Sequence, residues 1–251
     1  MAINVNTVYQ TVLMILNKEQ RGYMTPTEFN SVATQVQLEI FEKYFDDLNL
    51  QLRIPQADTD YADRQENIDE KIAIFKTFGD AVYIPLNALL PGTPYFDLPT
   101  QDGYGTPVPL VGGGSFYSMG NVLFNDEKVA QRLDRHDFYY ANQSKLTRPS
   151  TINPAYLYEN KKIFLKPTSI VSGVKVDFVR KPKNVNWAFS IGGLGQYQFV
   201  PATSENFELH GSEQTEVILK VLLYAGIVIR DPQIVQAAAA QVQADAQREI
   251  S

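Results

Sequence analysis

The sequence predicts an α+β fold, a helical bundle built from N- and C-terminal helices with a β-rich antiparallel insertion between them. Two observations predict it. Apolar residues recur at helical spacing near both ends of the chain, whereas the middle alternates short apolar runs with glycines and prolines. The expected organisation follows these changes: residues 1–78 hold the N-terminal helices of the bundle, 79–185 the β-rich insertion, 186–211 a long loop, and 212–251 the C-terminal helices that complete the bundle.

Two of the N-terminal helices are predicted by periodicity alone. Apolar residues recur at helical spacing over residues 7–16 and again from about Asp60 to Phe78. The second of these stretches begins with a concentration of acids, which favours a helix N-terminus because the backbone N–H groups there carry partial positive charge. These acids are Asp58, Asp60, Asp63, Glu66, Asp69 and Glu70.

The helix between them has a distinct start signal, residues 25–28 with the sequence Thr-Pro-Thr-Glu. Thr25 and Glu28 can each accept a hydrogen bond from the other's backbone N–H, and proline suits the first position of a helix. The helix is expected to end near residue 52, because the residue that precedes Pro55 disfavours helical geometry. Its apolar stripe is wide, which predicts packing against more than one partner.

The middle of the chain predicts short strands. The clearest signal is a hairpin, in which residues 156–158 and 163–165 flank a polar turn. Apolar and charged residues alternate over residues 174–178, as expected of a half-buried third strand. Together these patterns predict a three-stranded meander over residues 155–179. Further apolar runs that read as strands lie at residues 81–84, 95–98, 108–111 and 116–124.

The last third of the chain combines a long loop with helices. Residues 187–211 hold Gly192, Gly193 and Gly195 among aromatic residues, and so long a loop in a compact domain is usually functional or ordered by a partner. Ser212 is expected to cap a strongly apolar helix that reaches about residue 230, and a weakly apolar last helix is expected over residues 233–249. The candidate partner-binding residues of the loop are Trp187, Phe189, Tyr197 and Phe199.

Composition and motifs favour a protein without catalytic activity. The chain has no cysteine, which excludes disulfides and thiolate metal sites. Its two histidines, His136 and His210, lack the spacing of zinc ligands, and its glycine clusters lack the lysine and serine or threonine that hold phosphate. We therefore expect no enzyme activity, no cofactor and no metal site. No apolar run reaches the length of a membrane span, so no membrane partner is expected.

Charge is distributed unevenly along the chain. The net charge of −6 disfavours tight wrapping of nucleic acid as a whole. Residues 161–183, the basic segment, nevertheless contain only one acid, Asp177. A solvated sheet face, a protein interface and a nucleic-acid contact are all open interpretations of this segment. Its basic residues are Lys161, Lys162, Lys166, Lys175, Arg180, Lys181 and Lys183.

The basic segment and the acidic segment (residues 58–70) predict complementary subunit faces. In a cyclic ring each subunit presents two different faces to its two neighbours, so opposite charges can meet around the ring. Exposed ion pairs contribute only about 0–1 kcal/mol each, so their expected role is steering rather than adhesion. The candidate interface residues are Asp58, Asp60, Asp63, Glu66 and the seven basic residues given above.

Several short segments, taken in order, carry a resemblance that spans nearly the whole chain. They are residues 17–23 (NKEQRGY), 25–30 (TPTEFN), 144–149 (SKLTRP), 154–156 (PAY), 163–167 (IFLKP), 176–182 (VDFVRKP), 207–210 (FELH), 212–218 (SEQTEVI) and 229–232 (IRDP). In this order they resemble the head–tail connector (adaptor ring) proteins of tailed bacteriophages, of the crAss-like and related podovirus type.

The resemblance implies a virion structural protein without catalytic residues. Such adaptors combine a helical bundle with a β-rich insertion and form a homo-oligomeric ring of about twelve copies with head-to-tail contacts. The ring lies below the portal protein, contacts tail proteins and surrounds the channel through which DNA passes without specific binding. The implied location is the neck of the virion, after synthesis in the host bacterial cytoplasm.

Three alternatives remain open. Neighbouring rings and tail-completion proteins of the same stack share the order of helices, sheet and helices. A module that binds a small ligand or a glycan could use Trp187, Tyr197 and Phe199 as an aromatic platform. An enzyme with scattered acids is the third alternative, although no motif in the sequence favours it.

Overall fold

The chain folds into helices and antiparallel or mixed sheets, which confirms the α+β class. The computed structural model describes residues 3–18, 23–51, 60–85, 93–99 and 116–228, together with Ala240 and Gln243. Asp58 and the expected strand at residues 108–111 therefore lie outside the described residues. The expected last helix lies outside them as well, apart from Ala240 and Gln243, which are helical.

The chain divides into two compact units. Unit 1 comprises residues 1–74 and 182–251, and unit 2 comprises residues 75–181. Five α-helices form within the described residues: α1 (Val5–Lys18), α2 (Pro26–Gln51), α3 (Asp60–Ala73), α4 (Arg135–Ala141) and α5 (Gln214–Val228). The strands are β1 (Lys76–Asp80), β2 (Val82–Ile84), β3 (Tyr95–Asp97), β4 (Phe116–Phe124), β5 (Lys128–Val129), β6 (Gln131–Arg132), β7 (Ala155–Glu159), β8 (Lys162–Lys166), β9 (Val174–Arg180), β10 (Phe189–Ile191) and β11 (Tyr197–Phe199).

The start of α2 has the capping arrangement that the sequence predicts. The Glu28 N–H donates to Thr25 Oγ1 over 3.3 Å, and the Thr25 N–H donates to Glu28 Oε2 over 2.9 Å. Pro26 is the first helical residue. The hydrogen bonds from Thr25 lower the pKa of Glu28, because they favour the ionised carboxylate. The beginning of α2 is thus fixed by residues that are adjacent in the sequence.

The core of unit 1 forms around α2. This helix contacts both α3 and α5, and α1 contacts α5 as well. Along α2 the side chains of Phe29, Val36 and Ile40 are fully buried, as are Val217 and Val221 on α5. The wide apolar stripe predicts more than one partner for α2, and these contacts confirm it.

Helix α3 ends earlier than the sequence predicts, at Ala73 rather than at Phe78. The chain continues into β1, which pairs with β9 in antiparallel register from Lys76 to Asp80. The carbonyl oxygen of Phe75 accepts a hydrogen bond from the Arg180 N–H over 2.9 Å. Backbone pairing with a distant strand therefore overrides the helical spacing of the apolar residues, and unit 2 begins at residue 75 instead of 79.

Unit 2 contains two sheets. One has the strand order β1-β9-β4-β5, and the other has the order β2-β3-β8-β7-β6, in which only the β6–β7 pair is parallel among the described strands. Buried residues of both sheets form one apolar cluster, which includes Phe96, Ile163 and Leu165 from the second sheet and Val122 and Val176 from the first. The core of unit 2 is therefore shared by its two sheets.

The predicted hairpin is confirmed, but the predicted meander is wrong. Strands β7 and β8 pair in antiparallel register, and Asn160 and Lys161 at their turn have φ of 51° and 58°. Positive φ at both central residues is typical of the tightest hairpin turns. Strand β9 pairs with β1 and β4 instead of β8. Alternation correctly indicates a half-buried strand here, but it does not specify the neighbour of that strand.

Helix α5 does not begin with Ser212 as its cap. A 3-10 turn, Gly211–Glu213, precedes the helix, and His210 caps that turn by accepting a hydrogen bond from the Ser212 N–H over 3.3 Å at Nδ1. The helix proper begins at Gln214. The prediction fails because Ser212 lies inside the 3-10 turn that His210 caps, so it does not occupy the position before the first residue of α5.

Candidate functional site

The segment predicted as a long loop contains a β-hairpin in the single chain. Strands β10 and β11 are antiparallel, with Phe189 opposite Phe199 and Ile191 opposite Tyr197. The intervening turn is closed by a hydrogen bond from the Gly192 N–H to the carbonyl oxygen of Gln196, over 2.8 Å. The glycines that indicate a loop in the sequence therefore form a turn, and the segment does not need a partner to acquire regular structure.

Three of the four aromatic residues singled out in the sequence, Trp187, Phe189 and Phe199, come together at the base of this hairpin. The Trp187 ring stacks on Phe199, with a centroid distance of 5.5 Å, and on Phe189, at 6.1 Å. Phe189 in turn meets the edge of Tyr197 at 4.9 Å. Tyr9 of α1 extends the cluster, since its ring lies 4.5 Å from that of Trp187. The base of the hairpin is thus a packed aromatic cluster.

Trp187 is an anchor rather than an exposed binding residue. Its N–H donates to Asn30 Oδ1 on α2 over 2.7 Å, and its indole Nε1 donates to Asn6 Oδ1 on α1 over 3.0 Å. The residue is only 4% exposed. This corrects the expectation that Trp187 binds a partner or forms a ligand platform, because its ring is already covered by the protein.

The far end of the hairpin is apolar and exposed. Leu194 is 94% exposed, Ile191 69% and Tyr197 39%. Residues 184–204 contain no Asp, Glu, Lys or Arg. A methyl group added to Gly193 would meet no atom within 4 Å. We call residues 191–197 the hairpin tip: an uncharged apolar projection on a packed aromatic base.

The basic segment is spread over two sheets of unit 2 and the beginning of the second stretch of unit 1, residues 182–251. Lys162 and Lys166 lie on β8, Lys175 and Arg180 lie on β9, and Lys161 lies at the turn before β8. Lys181 follows β9 as the last residue of unit 2, and Lys183 belongs to unit 1. Because β8 and β9 are not neighbours, these cations do not lie together on one three-stranded meander.

Several of these cations are engaged within unit 2. Lys175 Nζ lies 2.8 Å from the Asp126 carboxylate, and this ion pair raises the pKa of the lysine. Lys162 Nζ lies 4.1 Å from the centre of the Tyr95 ring, and the Arg180 guanidinium lies 5.7 Å from the centre of the Phe75 ring. Lys161 and Lys183 are exposed. The exposed members are therefore the better candidates for contact with a neighbour.

The acidic segment lies on α3 as far as it is described. Asp60 and Asp63 belong to the first part of this helix, and Glu66 is exposed on it. The acids lie in unit 1, whereas all of the basic residues except Lys183 lie in unit 2. The two segments thus belong to different units of the chain, and their meeting across a subunit boundary remains a prediction.

A buried ionic cluster in unit 1 was missed at the sequence level. Lys71 Nζ on α3 lies 2.6 Å from Glu213 Oε1, and Glu213 is only 7% exposed. Glu216 on α5 lies 3.5 Å from both Lys43 of α2 and Lys220 of its own helix. The only signal in the sequence is that Glu213 and Glu216 stand three positions apart, which does not reveal that residues of α2, α3 and α5 surround them.

The pKa values of the two carboxyl groups in this cluster are shifted in opposite directions. Burial alone raises the pKa of Glu213, but the hydrogen bond from Lys71 and its charge outweigh burial and lower it. Burial raises the pKa of Glu216, and its hydrogen bond to Glu213 and the Glu213 charge raise it further, against the lowering by Lys43 and Lys220. The cluster therefore holds one carboxylate firmly ionised and one that takes up a proton more readily, a structural arrangement that links α2, α3 and α5.

Metal-site geometry, helix hydrophobicity and comparisons with known proteins also bear on function. Among the residues that the structure describes, no three His, Asp or Glu side chains lie close enough together to hold a metal ion. No helix in the same part of the chain is both long and apolar enough to cross a membrane. No protein-family model matches the sequence, and no curated protein sequence matches it either.

Proposed function

We propose that the chain is a non-catalytic structural subunit of a tailed-bacteriophage virion, a head–tail connector (adaptor) that forms a ring below the portal. The observation that carries this proposal is the hairpin tip, which exposes Leu194 and Ile191 on an uncharged projection. The resemblance of the ordered sequence segments supports the same function. Another ring or tail-completion protein of the same stack would use such a contact in the same way.

The physical basis is that the hairpin tip has the composition of an interface core. The centres of protein interfaces are depleted in charge and enriched in aromatic and apolar side chains. The aromatic cluster at the base fixes the hairpin before binding, so little conformational entropy is lost when the tip is covered. A projection that inserts into a different surface of the next copy makes a head-to-tail contact, and such contacts close into rings when the rotation fits.

The finer architecture belongs to the same proposal. The contacts of α1 with α5 and of α2 with α3 and α5 support a helical bundle that draws on both ends of the chain, with the β-rich unit as its insertion. About twelve copies would surround the DNA exit channel, with the portal protein on one side and tail proteins on the other. A net charge of −6 per subunit suits a channel that lets DNA pass without gripping it.

Two single substitutions test the proposal. Leu194→Asp places a charge on the hairpin tip, and Leu146→Asp places one on another leucine that is equally solvent-exposed, at 98%, in unit 2. Size-exclusion chromatography with light scattering should show that Leu194→Asp shifts the protein from large assemblies to smaller species, whereas Leu146→Asp assembles as the wild type does.

Neither substitution removes a buried contact within the chain, so thermal unfolding of the dissociated subunits should be unchanged within about 0.5 kcal/mol. If the two variants assemble equally well, the hairpin tip is not the subunit contact and the proposed function loses its main support.

A further inference from the structure

Strand β4 contains a bulge directly opposite Asp177. The register of β4 against β9 shifts between Met119 and Val122, so that Gly120 and Asn121 together oppose this single residue. A bulge interrupts the ladder of hydrogen bonds and changes the direction of nearby side chains, and bulges are common beside functional sites. The bulge therefore interrupts the regular pairing of β4 with β9 beside Asp177.

A pocket of about 440 Å³ opens at this bulge. Its volume is within the range of about 300–1,000 Å³ that small-ligand sites occupy. Three strands of one sheet line it, so its walls are fixed by backbone pairing: Lys76, Thr77 and Phe78 from β1, Gly120 and Asn121 from β4, and Asp177, Phe178 and Val179 from β9. All of these residues belong to unit 2.

Gly120 lines the pocket at a point where β4 comes close to the backbone of β9. A Cβ atom built at this position would lie 3.2 Å from the carbonyl oxygen of Asp177 and 3.6 Å from its Cβ. Any larger residue would therefore press on the backbone of β9 and occupy the space beside the Asp177 side chain.

Asp177 lacks a partner for its charge. It is partly buried, and none of the described residues donates a hydrogen bond to its carboxylate or forms an ion pair with it. Burial raises the pKa of Asp177 for this reason. The nearest lysine along β9, Lys175, is already paired with Asp126. An ionised carboxylate that loses water without gaining a partner costs free energy, which an incoming cation would recover.

We propose that this pocket binds a cationic group, a guanidinium or an ammonium on a short apolar stem, with Asp177 as its counter-ion. Phe78 is the residue opposite Asp177 in the β1–β9 register, so an aromatic ring and a carboxylate share one face of the sheet. Aromatic faces and carboxylates both attract organic cations. Lys76 also lines the pocket, and because its positive charge repels a bound cation, the contacts with Asp177 and Phe78 must outweigh that repulsion.

The cation can come from a free small molecule or from an Arg or Lys side chain of another protein. Isothermal titration calorimetry on the full chain distinguishes these two sources of the cation. The probes are n-butylguanidinium, the uncharged n-butylurea and a Gly-Arg-Gly peptide. Binding of the peptide more tightly than n-butylguanidinium identifies a protein side chain, and equal binding identifies a free cation. Either result requires that n-butylurea binds more weakly than both.

Three variants test whether the cationic probe binds in the pocket beside Asp177. Asp177→Asn should lower the affinity for n-butylguanidinium about tenfold or more, because a charge-assisted contact is lost. Gly120→Val should abolish binding by filling the pocket, and Asp80→Asn, on an exposed acid of β1 outside the pocket, should leave it unchanged. The proposal is overturned if no probe binds saturably, if n-butylurea binds as well as n-butylguanidinium, or if Asp177→Asn binds as the wild type does.

Discussion

The side chain of Asn30 pairs with the backbone of Trp187 as a neighbouring strand would. The Trp187 N–H donates to Asn30 Oδ1 over 2.7 Å, and Asn30 Nδ2 donates to the Trp187 carbonyl oxygen over 3.3 Å. Asn30 Nδ2 also lies 3.0 Å from Asn186 Oδ1, to which it donates. A single side chain of α2 therefore satisfies both backbone groups of the residue from which the hairpin β10–β11 extends.

Removal of this side chain should destabilise unit 1. Asn30→Ala leaves the N–H and the carbonyl oxygen of Trp187 without partners in a buried place, which costs about 1–3 kcal/mol of the free energy of unfolding. Gln35→Ala on the same helix is the matched control, because Gln35 is exposed and its hydrogen bond to Glu39 lies at the surface. Urea unfolding of both variants measures the difference; equal midpoints would contradict the role assigned to Asn30.

The ionic cluster predicts that replacing either carboxyl by a neutral glutamine changes the pH dependence of stability, in opposite directions for Glu216 and Glu213. The pKa of Glu216 is raised above its usual 4.5, so the wild type loses stability as pH rises through that pKa. Glu216→Gln stays neutral, so it should be more stable than the wild type at pH 7, with no advantage below about pH 4. The pKa of Glu213 is lowered, so its contribution is present above the unfolded pKa and lost as pH falls through the folded one.

Glu213→Gln should accordingly be less stable than the wild type at pH 7, and the deficit should shrink in acid. The charged groups that face the two carboxyls are Lys43 on α2, Lys71 on α3 and Lys220 on α5, and the two carboxyls also share a hydrogen bond with each other. Thermal unfolding across the pH range measures both differences. Substitutions that shift stability in the same direction at pH 7 would show that the two carboxyls do not differ as described.

The charge-complementary faces lead to a kinetic prediction. Lys161→Glu should slow ring assembly about tenfold at low salt, because exposed charges steer encounter more than they hold subunits together. Glu66→Lys in the same chain should partly restore the rate, and high salt should remove both effects. Both residues are exposed in the single chain.

Light scattering after rapid mixing follows this assembly. Lys145→Glu is the control, since this exposed lysine lies in unit 2 but outside the basic segment. A double reversal that assembles no faster than Lys161→Glu alone would mean that Glu66 and Lys161 do not meet across the boundary between subunits.

Features determined by neighbouring residues could be predicted from the sequence. The cap of α2 depends on Thr25 and Glu28, three positions apart, and both of its hydrogen bonds form. The β7–β8 hairpin depends on the alternation of its strands and on a polar turn at Asn160 and Lys161. In both cases the residues that form the contact are themselves the signal.

Features determined by distant strands could not be predicted. Phe75 and Phe78 have helical spacing, but pairing with β9 places Phe78 in a strand. The pocket at Asp177 depends on a bulge in β4, far away in the sequence, and the only hint was that Asp177 is the single acid of the basic segment. Trp187 is visible in the sequence as an aromatic residue, but its burial depends on packing against Tyr9 of α1 and on hydrogen bonds to Asn6 and Asn30 on two helices.

The central claim is that this chain is a ring-forming subunit, and its assembled mass tests it most directly. Native mass spectrometry of the wild-type chain, with class averages from negative-stain electron microscopy, should show one closed species of about twelve copies with cyclic symmetry. A monomer at every concentration, or a two-fold dimer that does not grow further, would contradict the claim.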